Sequence, residues 1–167
     1  MHLNHKISKC VFLLLAYLMH AQGGQWVSYQ DCGSRAKIMW IEVEPCDERR
    51  NCTLKRGGET TLQIRFAPRK PVTKITAVMQ DKTRHKYEPH PLDNPNGCKH
   101  SGLTCPLQPK KRVIYIQKFH TRKNADKTNI DVRFELRDQN GNDLVCAIMK
   151  FHIDDTTNVL PLWEDDR

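Results

Sequence analysis

The chain lacks the motifs that identify the common enzyme classes. It has no Gly-x-Ser-x-Gly motif and no paired carboxylates in an apolar context, and no free cysteine is expected beside a histidine, so no catalytic residue is assigned. Its longest apolar run is too short for a membrane-spanning helix, which needs about 18 or more such residues. No internal repeat or low-complexity block is present. These absences argue against an enzyme, and no cofactor is expected.

The longest apolar run lies near the N-terminus, at Cys10–Met19. Lys6 and Lys9 precede it, and small residues follow it as far as Gly23. This order of basic, apolar and small residues is typical of a secretory signal peptide. It predicts a cleaved leader over residues 1–23 and a secreted, extracellular or lysosomal protein. An uncleaved anchor is the alternative.

The cysteines predict a disulfide framework. The chain has seven of them, and removal of the leader leaves six, an even number typical of small secreted domains. Six cysteines allow fifteen pairings. The short separations favour Cys46–Cys52 and Cys98–Cys105, which leaves Cys32–Cys146. Zinc is the rival interpretation, but neither close pair has the two- to four-residue spacing of zinc ligands, so no metal is assigned.

The alternation of apolar and polar residues predicts β-strands throughout residues 24–153. In Thr128–Arg137 the apolar side chains are expected to face inward, and Glu135 is among those expected to face solvent. Asn140-Gly141 predicts a hairpin between the last two strands. Strands are expected at Trp26–Asp31, Ile38–Glu44, Glu59–Phe66, Lys74–Gln80, Val113–Phe119, Thr128–Arg137 and Leu144–Ile153. Seven short strands indicate an all-β, antiparallel two-sheet sandwich.

The charge and the C-terminus carry weaker signals. A formal net charge of +8 favours anionic partners such as acidic lipid surfaces or sulfated glycans. No nucleic-acid motif is present, and a monomer is expected.

Residues 154–167 form an acidic tail, predicted to be an extension; the alternative is that Leu162 and Trp163 fold back over an apolar opening. Asn51 begins a glycosylation sequon.

Short motifs along the chain resemble the ML (lipid-recognition) domain family, and within it the Niemann–Pick type C2 branch of secreted sterol-transfer proteins, which includes mite group 2 allergens. The resemblance covers about residues 26–153. It is carried by Tyr29-Gln30-Asp31-Cys32-Gly33-Ser34, Val43-Glu44-Pro45-Cys46, Asn96-Gly97-Cys98-Lys99, Gly102-Leu103-Thr104-Cys105-Pro106-Leu107 and Leu144-Val145-Cys146-Ala147-Ile148. The resemblance implies an immunoglobulin-like sandwich with three disulfides and an internal apolar cavity that holds one lipid.

The same resemblance implies which residues line that cavity. The lipid contacts would come from Val43, Leu54, Leu62, Ile64, Phe66, Ile130, Val132, Phe134 and Met149. The mouth would include Tyr87, His90, Thr121 and Ala125. The alternative, which periodicity alone favours, is that these side chains fill a closed core.

The implied mouth departs from that of sterol-binding relatives. His90 and Thr121 stand where those proteins carry apolar or aromatic residues, and Ala147 stands where they often carry tryptophan. We therefore predict an anionic amphiphile such as a fatty acid or phospholipid. Its headgroup would lie near Lys82, Arg84, Lys86 or Arg122. Solvated loop charges are the alternative.

Taken with the resemblance, these features predict a secreted protein that binds and transfers one sterol, fatty acid or phospholipid. It would deliver its lipid to an anionic membrane surface or a lipid-accepting receptor. One alternative is an innate-immune or chemosensory module that recognises a lipid and acts with a receptor. Another is a structural or glycan-binding protein with a closed core.

Overall fold

Ten strands form the regular structure of residues 24–83 and 86–156, which are the residues that this computed structural model describes. The strands are β1 (Gln25–Trp26), β2 (Tyr29–Asp31), β3 (Lys37–Glu44), β4 (Cys52–Lys55), β5 (Glu59–Ala67), β6 (Thr76–Thr83), β7 (Lys86–His90), β8 (Val113–His120), β9 (Asn129–Arg137) and β10 (Asp143–Asp154). The predicted leader, residues 1–23, and the predicted tail beyond residue 156 lie outside the described residues. Among those residues, no helix is long and apolar enough to cross a membrane.

The strands form two sheets that face each other. One sheet has the order β1-β3-β5-β8, and the other has the order β2-β10-β9-β6-β7. β4 also pairs with β10, in parallel, whereas the other pairings are antiparallel. The predicted all-β, two-sheet architecture is confirmed.

The core between the sheets follows from the alternation in the strands. In β5, Leu62, Ile64 and Phe66 are buried while the residues between them are partly exposed. Tyr115 of β8 meets Phe134 of β9 across the interface, with ring centroids 5.9 Å apart. Burial raises the pKa of the Tyr115 hydroxyl, which donates a 2.6 Å hydrogen bond to Gln117 Oε1. These contacts close the middle of the sandwich.

The structure corrects three strand expectations. Trp26–Asp31 is two strands, because β1 joins one sheet and β2 joins the other. β4 and β7 were not expected, since Cys52–Lys55 is short and has three consecutive buried residues, and Lys86–His90 is rich in charge. Neither segment shows the apolar alternation of a half-buried strand. Their partners in the sheet, β10 and β6, determine their conformation.

Glu135 is a further correction, because it is only 1 % exposed although it was expected to face solvent. Its Oε2 accepts a 2.7 Å hydrogen bond from Arg137 Nε, and Arg133 Nε lies 2.6 Å from its Oε1. The two arginines cover the carboxylate and neutralise it, which makes its burial tolerable.

Three disulfides connect the pairs expected from spacing. Cys32–Cys146 joins the residue after β2 to β10. Cys46–Cys52 lies where the chain crosses from β3 in one sheet to β4 in the other. Cys98–Cys105 lies in the connection between β7 and β8.

We expect the long-range disulfide to stabilise the fold most. Cys32 and Cys146 are separated by 114 positions, and a loop of that size is assigned about 4–5 kcal/mol by the chain-entropy model. The Cys32→Ala/Cys146→Ala variant should lose free energy of unfolding of that order in urea titrations without reductant. The Cys98→Ala/Cys105→Ala variant is the comparison, with a separation of 7 and an expected loss of about 2–3 kcal/mol. Equal losses would contradict the entropic explanation.

Asp47 fixes the start of β4. Its Oδ1 accepts a 2.7 Å hydrogen bond from Thr53 N, and its Oδ2 accepts a 2.6 Å bond from Thr53 Oγ1. Burial alone would raise the pKa of this carboxyl, but the hydrogen bonds from Thr53, together with those from the backbone N–H groups of Asp47 and Glu48, outweigh burial and hold the pKa below its ordinary value. A depressed pKa in the folded state means that the carboxylate contributes stability above the unfolded pKa of about 4. This contribution is lost as the pH falls through the folded pKa.

The Asp47→Asn variant should therefore lose about 1 kcal/mol of unfolding free energy at neutral pH, because a charge-assisted hydrogen bond becomes a neutral one and the site is partly screened by solvent. The difference from wild type should shrink as the pH falls below about 4. Urea titrations of both proteins across that range provide the measurement. A difference that does not change with pH would show that the charge of Asp47 is not what anchors β4.

Candidate functional site

A cavity of about 460 Å³ opens between the sheets at one end of the sandwich. It lies where β6 and β10 end, where β9 begins and where β8 runs into the loop 121–128. The interior of a sandwich normally packs without voids larger than a water molecule. A cavity of this volume falls within the roughly 300–1,000 Å³ range of small-molecule sites, so this end of the fold can hold a ligand.

The floor of the cavity is apolar. Five buried side chains from both sheets form it: Leu54, Met79, Phe119, Val132 and Ile153. Half-buried Ile130 extends it. Such a wall binds hydrocarbon, since each Å² of apolar surface removed from water contributes about 25 cal/mol.

A cluster of polar and charged side chains forms one side of the mouth. Asp81 Oδ2 lies 2.7 Å from His90 Nδ1 and 3.8 Å from a guanidinium nitrogen of Arg122. The Asp81 and His90 side chains are 13 % and 9 % exposed, and the His90 ring meets the edge of Phe119 at 6.1 Å between centroids. Asp81 therefore ties β6, β7 and the loop 121–128 together around the opening.

Thr121 places an unsatisfied polar atom at the wall. The residue is 6 % exposed and lines the cavity, and its buried Oγ1 has no hydrogen-bond partner among the described residues. A buried hydroxyl without a partner costs about 1–3 kcal/mol. A ligand hydroxyl that reached this atom would recover part of that cost.

The structure brings some of the predicted lipid contacts together and not others. Leu54, Ile130 and Val132 line the cavity. The other six are buried in the closed core: Val43, Leu62, Ile64, Phe66, Phe134 and Met149. The lipid-binding role of all nine stays a prediction, and the first three are the ones that line this cavity as formed by the described residues.

The predicted mouth residues also divide. His90, Thr121 and Ala125 line the cavity. Tyr87 does not line it, and its ring lies 5.9 Å from Lys82 Nζ on the neighbouring strand.

Sequence reasoning missed Met79, Asp81, Phe119 and Ile153. Met79, Phe119 and Ile153 lie on the inward faces of predicted strands, so the alternation of apolar residues could have identified them. What the sequence did not reveal is where along the strands the sheets separate.

Two of the four cations predicted to meet an anionic headgroup are already opposed by carboxylates. Lys82 lines the cavity with its Nζ 3.5 Å from Asp131 Oδ2, and Arg122 faces Asp81. Lys86 does not line the cavity. Arg84 lies outside the described residues. The mouth is therefore balanced in charge where the structure describes it.

Within residues 24–83 and 86–156, two groups of side chains have the proximity of metal ligands, but neither is available to bind a metal. They are Cys46, Asp47 and Cys52, and Glu135, Asp143 and Cys146. All three cysteines are bonded in disulfides, so they offer no thiolate.

The predicted glycosylation of Asn51 stays a prediction; its amide donates to Asn129 Oδ1 at 3.2 Å.

The amino-acid sequence that forms this sandwich matches a known family. The family model of the ML domain matches residues 26–153. The chain belongs to the ML-domain family.

Relatives in this family cover most of the chain. NPC intracellular cholesterol transporter 2 homolog a of Drosophila melanogaster is 33% identical over 123 residues, which is 72% of this chain and 83% of the relative. The ecdysteroid-regulated 16 kDa protein of Manduca sexta is 33% identical over 127 residues, covering 75% and 87%. NPC intracellular cholesterol transporter 2 of Mus musculus is 28% identical over 135 residues, covering 80% and 89%.

Solved structures agree with the ML-domain assignment. A Niemann-Pick type C2 protein from Japanese carpenter ant superposes with a TM-score of 0.70 at 26% identity, covering 76% of this chain and 99% of the ant protein. Chicken MD-1 complexed with lipid IVa superposes with a TM-score of 0.50 at 11% identity, covering 77% and 96%. This second likeness concerns the fold alone.

Thr121 provides a stability test of the cavity wall. Thr121→Val replaces the unpartnered hydroxyl by a methyl group of similar shape, so we expect the delipidated protein to gain about 1 kcal/mol of unfolding free energy. Urea titration of both proteins after lipid extraction is the measurement. A loss of stability would mean that the hydroxyl has a partner in the ligand-free protein.

Proposed function

We propose that this ML-domain protein is a lipid carrier that holds one sterol or other lipid in the cavity and transfers it between membranes. The observation that carries the proposal is the apolar cavity, open at one end between two otherwise closely packed sheets. Kinship supports it, because relatives that align with most of the chain are named as intracellular cholesterol transporters.

Transport of this kind needs binding and release, and the side chains at the site serve both. The floor formed by Leu54, Phe119 and Val132 removes hydrocarbon from water. The polar mouth leaves the other end of the lipid near solvent, so the lipid enters and leaves by one opening. His90 hydrogen-bonds to Asp81 at the mouth and helps to hold its wall. We infer that the protein acts by binding its lipid.

A hydroxyl suits the mouth better than an anionic headgroup. Lys82 and Arg122 are each opposed by a carboxylate, whereas Thr121 Oγ1 offers an unpaired hydrogen-bonding group. We therefore favour a sterol over the fatty acid or phospholipid that the sequence predicted. Native mass spectrometry of the purified protein distinguishes them, because the mass of the bound molecule identifies its class. Recovery of fatty acid or phospholipid without sterol would overturn this preference.

We infer that the protein works outside the cytosol, as a secreted or lysosomal protein. Three disulfides form and persist in oxidising compartments. The leader predicted from the sequence agrees with this inference.

Filling the cavity should abolish transport. Val132→Trp places a bulky side chain on the apolar floor, so we expect binding of a fluorescent sterol to weaken by at least about tenfold while the fold is retained with a cost of roughly 1–3 kcal/mol. Binding is followed by titration, and transfer by exchange of the sterol between donor and acceptor vesicles. Ile116→Trp is the matched control, since Ile116 is 37 % exposed on the outer face of β8, and it should bind and transfer as wild type does.

Unchanged binding in Val132→Trp would place the ligand elsewhere and contradict the proposal. A wild-type protein that binds sterol tightly but never exchanges it between vesicles would be a recognition module rather than a carrier.

A further inference from the structure

The end of the sandwich opposite the cavity is strongly basic. Four connecting segments meet there, 33–37, 68–75, 108–112 and 138–142, and we call them together the basic pole. Backbone hydrogen bonds hold them in place: Arg35 N donates to Asp143 O at 3.0 Å, and Lys110 N donates to Pro68 O at 2.7 Å. The Gln139 side chain accepts from Thr73 N at 3.1 Å. Distant parts of the chain thus form one surface.

The charge of the basic pole is unbalanced. Its four segments contain eight lysines and arginines and a single acidic residue, Asp138. The eight cations are Arg35, Lys37, Arg69, Lys70, Lys74, Lys110, Lys111 and Arg112, and all are exposed. None forms an ion pair within residues 24–83 and 86–156. The cations at the cavity mouth differ, because Lys82 and Arg122 each face a carboxylate.

The carboxylates near the pole already accept backbone hydrogen bonds or lie close to other arginines. Asp138 Oδ1 accepts hydrogen bonds from Asn140 N at 2.8 Å and Asn142 N at 3.0 Å. Asp31, beside this end, accepts from Gly33 N and Ser34 N through one oxygen. Asp143 lies 3.8 Å from both Arg133 and Arg137. The exposed cations of the pole therefore have no carboxylate partner among the described residues.

A cleft of about 490 Å³ lies within the basic pole. Arg35, Arg69 and Lys70 line it, together with Ser34, Asn140 and Asn142. The side chains of Arg35, Arg69, Lys70 and Asn140 make no hydrogen bond to the described residues. Guanidinium, ammonium and amide groups that converge without partners suit the oxygens of a sulfate or carboxylate group.

We propose that the basic pole binds a sulfated glycan, with one sulfate group seated in the cleft and the neighbouring sugars running over Lys110, Lys111 and Arg112. A linear polyanion matches a surface of exposed cations about a shallow cleft, because many weak and screened contacts then act together.

The position of the pole favours a glycan over an anionic membrane as its ligand. This argument rests on the proposed function as a lipid carrier. β10 has 12 residues and runs from the pole to the cavity, which corresponds to about 40 Å. A bilayer bound at the pole would face the end opposite the mouth, where lipid cannot exchange. A glycan bound there leaves the mouth free.

The test compares two variants of the full disulfide-bonded protein that lose the same charge. The pole variant is Arg35→Gln/Arg69→Gln/Lys70→Gln/Lys111→Gln. The control variant is Arg49→Gln/Arg50→Gln/Lys55→Gln/Lys150→Gln, at exposed residues away from the pole. Binding to a heparin oligosaccharide is measured by titration at about 0.15 M salt, beside binding to phosphatidylcholine vesicles that contain phosphatidylserine.

We expect the pole variant to bind heparin at least about tenfold more weakly than wild type, and the control variant to lose no more than about twofold. Equal losses of heparin affinity in the two variants would show that only the net charge matters, and would overturn the proposal. A wild-type protein that does not bind heparin would also overturn it. Vesicle binding that depends on the pole residues more than heparin binding does would assign the surface to a membrane instead. Sterol transfer, measured in the same variants, should be unchanged, so that failure of the glycan proposal is distinguishable from failure of the carrier proposal.

Discussion

The fold depends on two sheets that pack against each other along most of their length and separate at one end. Tyr115, Phe66 and Phe134 fill the closed part, each with no exposed surface. At the open end the floor lies at Val132, one inward position before Phe134 on the same strand. Two neighbouring inward positions of β9 thus serve different purposes: one completes a packed core, and the other faces a space that a ligand can fill.

The crossing from β3 to β4 supports this opening from the side. Cys46–Cys52 and the hydrogen bonds from Thr53 to Asp47 hold the start of β4, and β4 then adds Leu54 to the floor. Across the mouth, Asp81 joins three separate segments through His90 and Arg122. Covalent and charged contacts surround the opening, and apolar contacts line its interior. The other end of the sandwich, where the sheets close, carries the unbalanced positive charge.

Much of the fold could be predicted from the sequence, because strands such as β5 and β9 alternate strictly and the cysteine spacing favours one pairing. The short or charged strands β4 and β7 could not, since pairing with β10 and β6 rather than their own pattern makes them strands. Glu135 looked solvent-facing because alternation reveals the face of a sheet but not that two arginines cover the side chain. The lipid contacts implied by the family resemblance stay a prediction. Periodicity identifies inward side chains but not where the sheets part, so it could not indicate that Leu54, Ile130 and Val132 are the ones among them that line the cavity.

The most direct test of the account is a crystal structure of the protein purified with its native lipid. The account predicts electron density for one lipid enclosed by Leu54, Phe119 and Val132, with its polar end beside Thr121. A structure in which these side chains touch one another and leave no space, or in which the lipid lies outside the two sheets, would contradict it.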